Sequence, residues 1–381
     1  MSVLMTEEQQ LAADGIRKLM RERIEPEFLA YREQAIPRQQ MQNWMMQLVE
    51  FGLVTAPQGT RWGGMGSDWV THLRLFEEVA ASSLDIALPS LINVVASDLL
   101  DKLAPEHLQQ RYLPGLMRGE LFASVAISEP DVGSDVASVK TRARRDGDDW
   151  IINGEKTWIT NGEYSDFLVC TCNVEGGGLT HILLDRQEHG YEVAGIPKIA
   201  LNGQSTSQIF LSDVRVPVSN TIGEIGRGLK NTLTLFERAR CHMAAWGYSI
   251  ARRAMEEAIV YSTQRTQHGK PIAGHQLIAD KLAVMATEID AARLLTLRAG
   301  EMIDKGLRCD SEAAMAKWYG TEIAVRATRE ALQIHGGNGV TKEFIVERLA
   351  REAIIGPIPD GTTEIQRLLI ARNLTGVQAF R

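Results

Sequence analysis

The stretch Ile358-Pro359-Asp360-Gly361-Thr362-Thr363-Glu364-Ile365-Gln366-Arg367 sets a carboxylate beside a glycine and a pair of threonines, just ahead of a helical pattern. Leu235-Phe236-Glu237-Arg238-Ala239-Arg240 carries another carboxylate, within a helical pattern. A carboxylate can move protons once its surroundings raise its pKa. Without such surroundings Glu237 and Arg238 are charges on a solvated helix face. Ile127-Ser128-Glu129-Pro130-Asp131-Val132-Gly133-Ser134-Asp135 gives a turn with hydroxyls and free amides, Ser128 and Ser134 among them. In Asn153-Gly154-Glu155-Lys156-Thr157-Trp158-Ile159-Thr160-Asn161, the Trp158 ring and the Thr160 hydroxyl fall on one face of a strand. Alone, that pair reads as core. Arg265-Thr266-Gln267-His268-Gly269-Lys270-Pro271-Ile272, followed by Gln276, offers an arginine fork of the kind that suits phosphate, though cations often end helices. Gln333-Ile334-His335-Gly336-Gly337-Asn338-Gly339 closes a helix on glycines. These can be a plain C-cap, or let backbone approach a phosphate or ribose closely.

The elements that must position these residues change character along the chain. Residues 6–31 place Leu11, Ile16, Leu19, Met20 and Ile24 near helical spacing, and 70–86 and 90–104 repeat that style. Pro57, Gly59, Gly63, Gly64 and Gly66 mark a loop. From Phe122 to about Val216 the signals are short strands and turns. Asn153-Gly154 reads as a hairpin dipeptide, and Gly176-Gly177-Gly178 as a flexible connection. From about Gly228 the chain is helical again over 229–264, 276–305, 312–334 and from about Thr363. The pattern predicts an N-terminal helical domain (1–121), a middle β-barrel or sandwich (122–227) and a C-terminal four-helix bundle (228–381).

The 381 residues, 44% apolar and 23% charged, can bury a large core. A net charge of -7 argues against nucleic acid or an anionic membrane surface as partner. No apolar run approaches the ~18 residues that span a bilayer. Met1-Ser2-Val3-Leu4-Met5 lacks a basic region, so no secretory or transit leader is expected. Cys170 and Cys172 share one strand face and read as small packed residues, not a metal pair. With Cys241 and Cys309 they are expected to be reduced thiols in a cytoplasmic protein without metal. No Gly-x-Gly-x-x-Gly follows a strand, so a Rossmann mode is disfavoured.

Taken together, in this order and at these spacings, the motifs resemble the FAD-dependent acyl-CoA dehydrogenase family over nearly the whole chain. The resemblance implies that Trp158 covers one flavin face, that the Thr160 hydroxyl bonds near N5, and that Ser128 and Ser134 contact the flavin and its pyrophosphate. It implies that Arg265, His268, Gln276, Gln333, Gly336 and Gly337 serve the cofactor of a neighbouring subunit, and that Thr362 and Glu364 touch the same cofactor. His268 stands where Phe is usual, keeping a flat ring. The implied reaction is α,β-dehydrogenation of an acyl thioester. A carboxylate takes the α-proton, and the thioester oxygen bonds to the backbone amide at the position of Asp360. Asp360 stands where Glu is commonest, one methylene shorter, and follows Pro359 where Tyr is common. Glu237 matches a position from which other relatives supply the base. The two compete, and Glu237 is preferred because rates fall steeply for displacements of ~1 Å. Arg238 matches an arginine near the pantetheine and nucleotide of the substrate. Implied partners are an acyl-CoA, an electron-transfer flavoprotein and further copies of the chain in a homotetramer. An acyl- or peptidyl-carrier-protein thioester is the closest alternative substrate, and Gly203-Gln204-Ser205 in place of a common Gly-x-Arg fits an atypical one. A catalytically inert flavin-binding protein and an oxygen-using oxidase are more distant alternatives.

Overall fold

The computed structural model describes residues 6–31 and 33–379. Met1–Met5, on which the leader expectation rests, lie outside the described residues. α1 (Glu7–Leu19) starts on a capping box, in which Thr6 and Gln9 satisfy each other's backbone amides. It runs through a π-helical turn into α2 (Glu25–Tyr31). There follow α3 (Arg38–Glu50), α4 (Trp69–Ser82), α5 (Leu84–Leu103) and α6 (Glu106–Met117). The β region contains β1 (Ala123–Ala126), β2 (Arg142–Asp146), β3 (Asp149–Thr160), β4 (Phe167–Val174) and β5 (Gly178–Asp185). After a single helical turn, α7 (Arg186–His189), come β6 (Glu192–Gly195), β7 (Thr206–Pro217) and β8 (Thr221–Ile222). α8 (Gly228–Gln264) leads to the small ribbon β9 (Thr266–Gln267) and β10 (Lys270–Pro271). α9 (Gln276–Asp304), α10 (Asp310–His335), α11 (Val346–Ala353) and α12 (Thr363–Thr375) complete the chain.

Two compact units emerge. One holds the described residues up to His72 together with Asp85–Phe236, and the other holds Leu73–Leu84 with the described residues from Glu237 onward. In the first unit the strands form one eight-stranded sheet, ordered β6-β7-β3-β2-β4-β5-β8, with β1 parallel to β4. Alternate residues, including Trp150, Ile152, Leu168, Cys170, Cys172, Ile182, Leu184, Ile209 and Leu211, build its buried core. The four cysteines are unbridged and buried.

Asn153-Gly154 corrects the expectation of a hairpin. The dipeptide lies inside β3, and the hairpin into that strand turns at Gly147-Asp148. Gly154 is needed because Thr141 packs against it; an added Cβ would lie 2.5–2.8 Å from Thr141 atoms. Asp213 opposite, at φ 49°, carries the extra residue of a bulge and exchanges hydrogen bonds with the Asn153 side chain.

In the second unit α10 packs on α9, α11 and α12. Gly247 of α8 faces Gly320 of α10, and a Cβ on either would run into the other helix's backbone. Residues 73–84 belong here because Glu77 pairs with Arg252 and Arg293, and Arg348 donates to the Ser82 carbonyl. Among the described residues no helix is long and apolar enough to cross a membrane, and no His, Cys, Asp and Glu group could hold a metal ion.

Candidate active site

On β3, Trp158 occupies a bulge. Lys156 pairs with Ile209 and Ile159 with Ser207, so β3 uses three steps where β7 uses two. Bulges re-aim side chains. Trp158 sits at φ 63°, a left-handed conformation that disfavours any residue with a Cβ, and its side chain is 62% exposed. Thr160, two residues on, is half-buried, and Ile159 between them is buried. The chain thus accepts backbone strain to present a large aromatic to solvent.

The bulge is anchored from below. Lys156 is 0% exposed, and its Nζ donates to the Ile127 carbonyl at 3.0 Å and to Glu129 Oε1 at 2.9 Å. Glu129 also accepts from the Lys140 amide and from the Thr141 amide and hydroxyl. Burial alone would raise the Glu129 pKa, but the hydrogen bonds from Thr141 and Lys156, with the lysine charge, hold it below the usual carboxylate range. Between these anchors the half-buried Ser128 accepts from the Thr157 amide through its carbonyl, at 3.0 Å. Ser134, beyond the Glu129–Val132 turn, is exposed.

In the second unit the C-terminal ends of α8 and α10 meet. Tyr261 stacks on His335 with ring centroids 4.3 Å apart, and its hydroxyl accepts from Asn338 at 3.1 Å. One turn beyond Tyr261 stands Arg265; directly after His335 stand Gly336 and Gly337. Arg265, His268, Gln276, Gln333, Gly336 and Gly337 are all exposed, and the space around both glycines is open. His268 (φ 50°) and Gly269 (φ 78°) form the tight turn of the β9–β10 ribbon.

The segment Pro357–Gly361, here called the acid loop, carries Asp360 at φ 55°. Its carbonyls are filled from inside. Lys317 of α10, 0% exposed, donates through Nζ to Pro357 at 2.8 Å and to Gly361 at 2.9 Å. Gln366, also fully buried, donates to Asp360 at 3.1 Å and to Gly361 at 2.8 Å, and the Thr363 amide donates to Pro357 at 3.1 Å. Among the described residues the Asp360 amide itself donates to nothing. Burial raises the Asp360 pKa above the ordinary aspartate value, against the pull of Lys317 and Arg240. Burial likewise lowers Lys317 to about 8, with Asp360 opposing. Thr362 caps α12 by accepting from the Ile365 amide, and Glu364 is exposed.

Glu237 is half-buried. Its Oε2 accepts from the Cys309 thiol at 3.8 Å. Burial raises its pKa, Asp310 adds to the rise, and Arg240, Arg238 and Arg308 oppose it. Arg238 is half-buried as well. Buried Arg240 feels both carboxylates, Asp360 more than Glu237. Gln204, at a departure from the resemblance, is buried and bonded to Thr206 and Asp85.

Lys317, Gln366, Arg240, Glu129 and Lys156 had no role in the sequence reading. Lys317 had a signal: it shares a helix stripe with Ala313, Gly320, Thr321 and Ala324, all buried. A lone lysine within such a stripe must satisfy its charge inside the protein.

Each unit offers features that suit part of a flavin dinucleotide: in the first, a strained, exposed indole for a planar ring; in the second, a loop amide without a partner among the described residues for an oxygen, and open glycines with an exposed arginine for phosphates. Comparison with known proteins agrees. The acyl-CoA dehydrogenase N-terminal, middle and C-terminal domains match residues 6–120, 124–214 and 226–375. The probable acyl-CoA dehydrogenase YngJ of Bacillus subtilis is 35% identical, over 98% of this chain and 100% of its own. Cyclohexane-1-carbonyl-CoA dehydrogenase of Syntrophus aciditrophicus is 33% identical, over 98% of each. A crystal structure of a glutaryl-CoA dehydrogenase from Mycobacterium smegmatis in complex with FADH2 superposes with a TM-score of 0.93 at 27% identity, covering 99% of this chain and 97% of that one. With whole-length relatives, domains matched in order and the same fold, the chain belongs to the acyl-CoA dehydrogenase family, FAD-dependent oxidoreductases acting on CH–CH groups.

Proposed function

We propose that this enzyme desaturates an acyl-CoA at Cα–Cβ, with Asp360 as the base, and passes the electrons to an electron-transfer flavoprotein. FAD, when bound, supplies the two-electron acceptor for the β-hydrogen. The chain's own residues do the rest. Asp360 takes the α-proton, its carboxylate made more basic by burial. Its amide, without a partner among the described residues, bonds the thioester oxygen, where negative charge develops. Trp158 and Thr160 receive the flavin ring, with Ser128 and Ser134 on its ring and pyrophosphate. Arg265, His268, Gln276, Gln333, Gly336 and Gly337 take the nucleotide end of a partner subunit's cofactor within a homotetramer, which accounts for their exposure in a single chain. Thr362 and Glu364 contact the flavin, and Arg238 the substrate's nucleotide portion.

The observation that carries the assignment is the support of the acid loop. Asp360 is held by hydrogen bonds from two buried side chains to the loop carbonyls, whereas the contact of Glu237 with Cys309 is a weak one from a thiol. Base catalysis needs position before pKa. Glu237 remains the second reading because burial raises its pKa too. Anaerobic bleaching of the FAD-loaded enzyme by a panel of acyl-CoA and acyl-carrier-protein thioesters tests both. Asp360→Asn is expected to slow bleaching ~10²- to 10⁴-fold, and Glu237→Gln less than ~10-fold. The reverse ranking gives the role to Glu237. Bleaching by carrier-protein thioesters alone moves the substrate class.

A further inference from the structure

We infer that Lys317 is a positioning residue for the reaction: its buried ammonium ties together the two carbonyls that bracket Asp360 and sets a positive charge that acts on that carboxylate. The inference deepens the dehydrogenase reading and rests on it. Lys317 reaches across from the first third of α10 to Pro357 and Gly361, one residue from either end of the Ile358–Asp360 segment. No turn of the loop can relax without breaking one of these bonds. The cost of burying the ammonium is large, and the lysine has no carboxylate within 4.0 Å among the described residues. A lysine kept only to fill space could be replaced by Met or Leu at little net change in stability. Its placement makes sense if the loop's geometry and the charge beside Asp360 are what it is kept for.

The charged groups facing Asp360 are Lys317 on α10 and Arg240 on α8; Lys317 is faced in addition by Arg240 itself, by Glu322 on α10 and by Glu364 on α12. Losing one of two cations should therefore raise the pKa of the base while Arg240 limits the rise. Since the base works as its carboxylate, the acid limb of the bleaching rate moves to higher pH.

The test compares Lys317→Met with the wild type, both full-length and FAD-loaded. Measured are anaerobic bleaching at limiting and saturating acyl-CoA as a function of pH, and hydrogen exchange of the hydrogen-bonded amides of Ile358 and Thr363. The expected result is a saturating rate ~30- to 100-fold lower, half-saturation changed less than ~3-fold, an acid limb about one pH unit higher and faster exchange in the loop. A wild-type acid limb with wild-type exchange overturns the inference, whatever the rate. If Lys317→Met does not fold, Lys317→Arg decides. It keeps the charge but not the two-carbonyl geometry, so the limb should stay in place while the rate falls at least ~10-fold; an unchanged rate overturns the inference. Failure of the underlying reading looks different. There the wild-type flavin is bleached by no acyl thioester, and loop exchange alone still reports whether Lys317 holds the segment.

Discussion

Two fully buried lysines, one in each unit, are used differently. Lys156, beneath the Trp158 bulge, meets the Glu129 carboxylate at 2.9 Å, and that carboxylate collects further donors from Lys140 and Thr141. Lys317, beneath the acid loop, meets only carbonyls directly, and its charge is left to act on Asp360. A charge neutralised in place is a structural rivet, since removing either partner strands the other. A charge neutralised only at a distance keeps an electrostatic influence on its surroundings. The comparison predicts that the first lysine governs stability and the second governs rate.

The largest expected effect breaks the first half of that contrast. Lys156→Met leaves Glu129 buried without its counter-charge, which costs ~3–5 kcal/mol. Lys317→Met should cost within ~1 kcal/mol, because the Pro357 carbonyl keeps the Thr363 amide and the Gly361 carbonyl keeps Gln366. Denaturant midpoints of the two variants, measured on the same day in the same buffer, decide it. Equal losses would mean that both lysines are rivets.

Next in size is the acid dependence of that rivet. The Glu129 pKa is lowered in the folded chain. Its contribution is therefore complete above the unfolded value of ~4.3 and fades as pH falls through the lower folded value. Glu129→Gln should be less stable than wild type at neutral pH by ~2–4 kcal/mol, and the gap should narrow below about pH 4. Urea unfolding at neutral and acid pH measures the two gaps. A gap that is constant with pH would show that the carboxylate's charge is not what holds Lys156.

How far the sequence shows these two regions differs for a physical reason. Long apolar stripes made α8, α9 and α10 legible to within a few residues, since a helix that buries one face repeats its pattern many times. Strand alternation puts Trp158 and Thr160 on one face, and the burial order of exposed Trp158, buried Ile159 and half-buried Thr160 is compatible with that expectation, although a bulge intervenes. Asn153-Gly154 misled because the dipeptide records a demand for unusual backbone, and a bulge makes that demand as well as a turn does. The lysines were harder. Lys156 stands among residues of a strand with a bulge on either side of it, so its inward direction cannot be counted from its neighbours. The positive φ of Asp360 and the filling of the loop carbonyls depend on Gln366 and Lys317, the second of them 43 positions earlier in the chain.

A smaller effect sharpens the comparison at the bulge itself. Trp158 adopts φ 63°, where a residue with a Cβ loses ~1–2 kcal/mol and glycine loses almost none. Its ring is largely exposed, so little packing offsets that loss. Trp158→Gly should leave the flavin-free protein as stable as wild type or up to ~1 kcal/mol more stable, while weakening FAD binding ~10-fold or more. Equilibrium dialysis of FAD with thermal melts of the apoprotein separates the two. A variant that loses stability and keeps flavin would make the indole a core residue that happens to show at the surface.

The smallest effect concerns Asp360 as a stability element, and here its sign opposes that of Glu129. Burial raises the folded pKa of Asp360, so the folded state holds its proton to higher pH than the unfolded state does. At low pH both states are protonated and the residue costs nothing. As pH rises through the gap between the two values the unfolded state gives up its proton while the folded state still holds it, so the cost grows, and it is complete above the folded value, where the folded state bears the charge. Lys317 and Arg240 reduce that cost without cancelling it. Asp360→Asn should therefore melt with the wild type in acid and about 1–2 °C above it at neutral pH. In a Lys317→Met background the neutral-pH gain should grow, because one of its two counter-charges is gone. A gain that stays the same in both backgrounds would show that Lys317 does not act on Asp360 through its charge, leaving only its two hydrogen bonds to explain any change in rate.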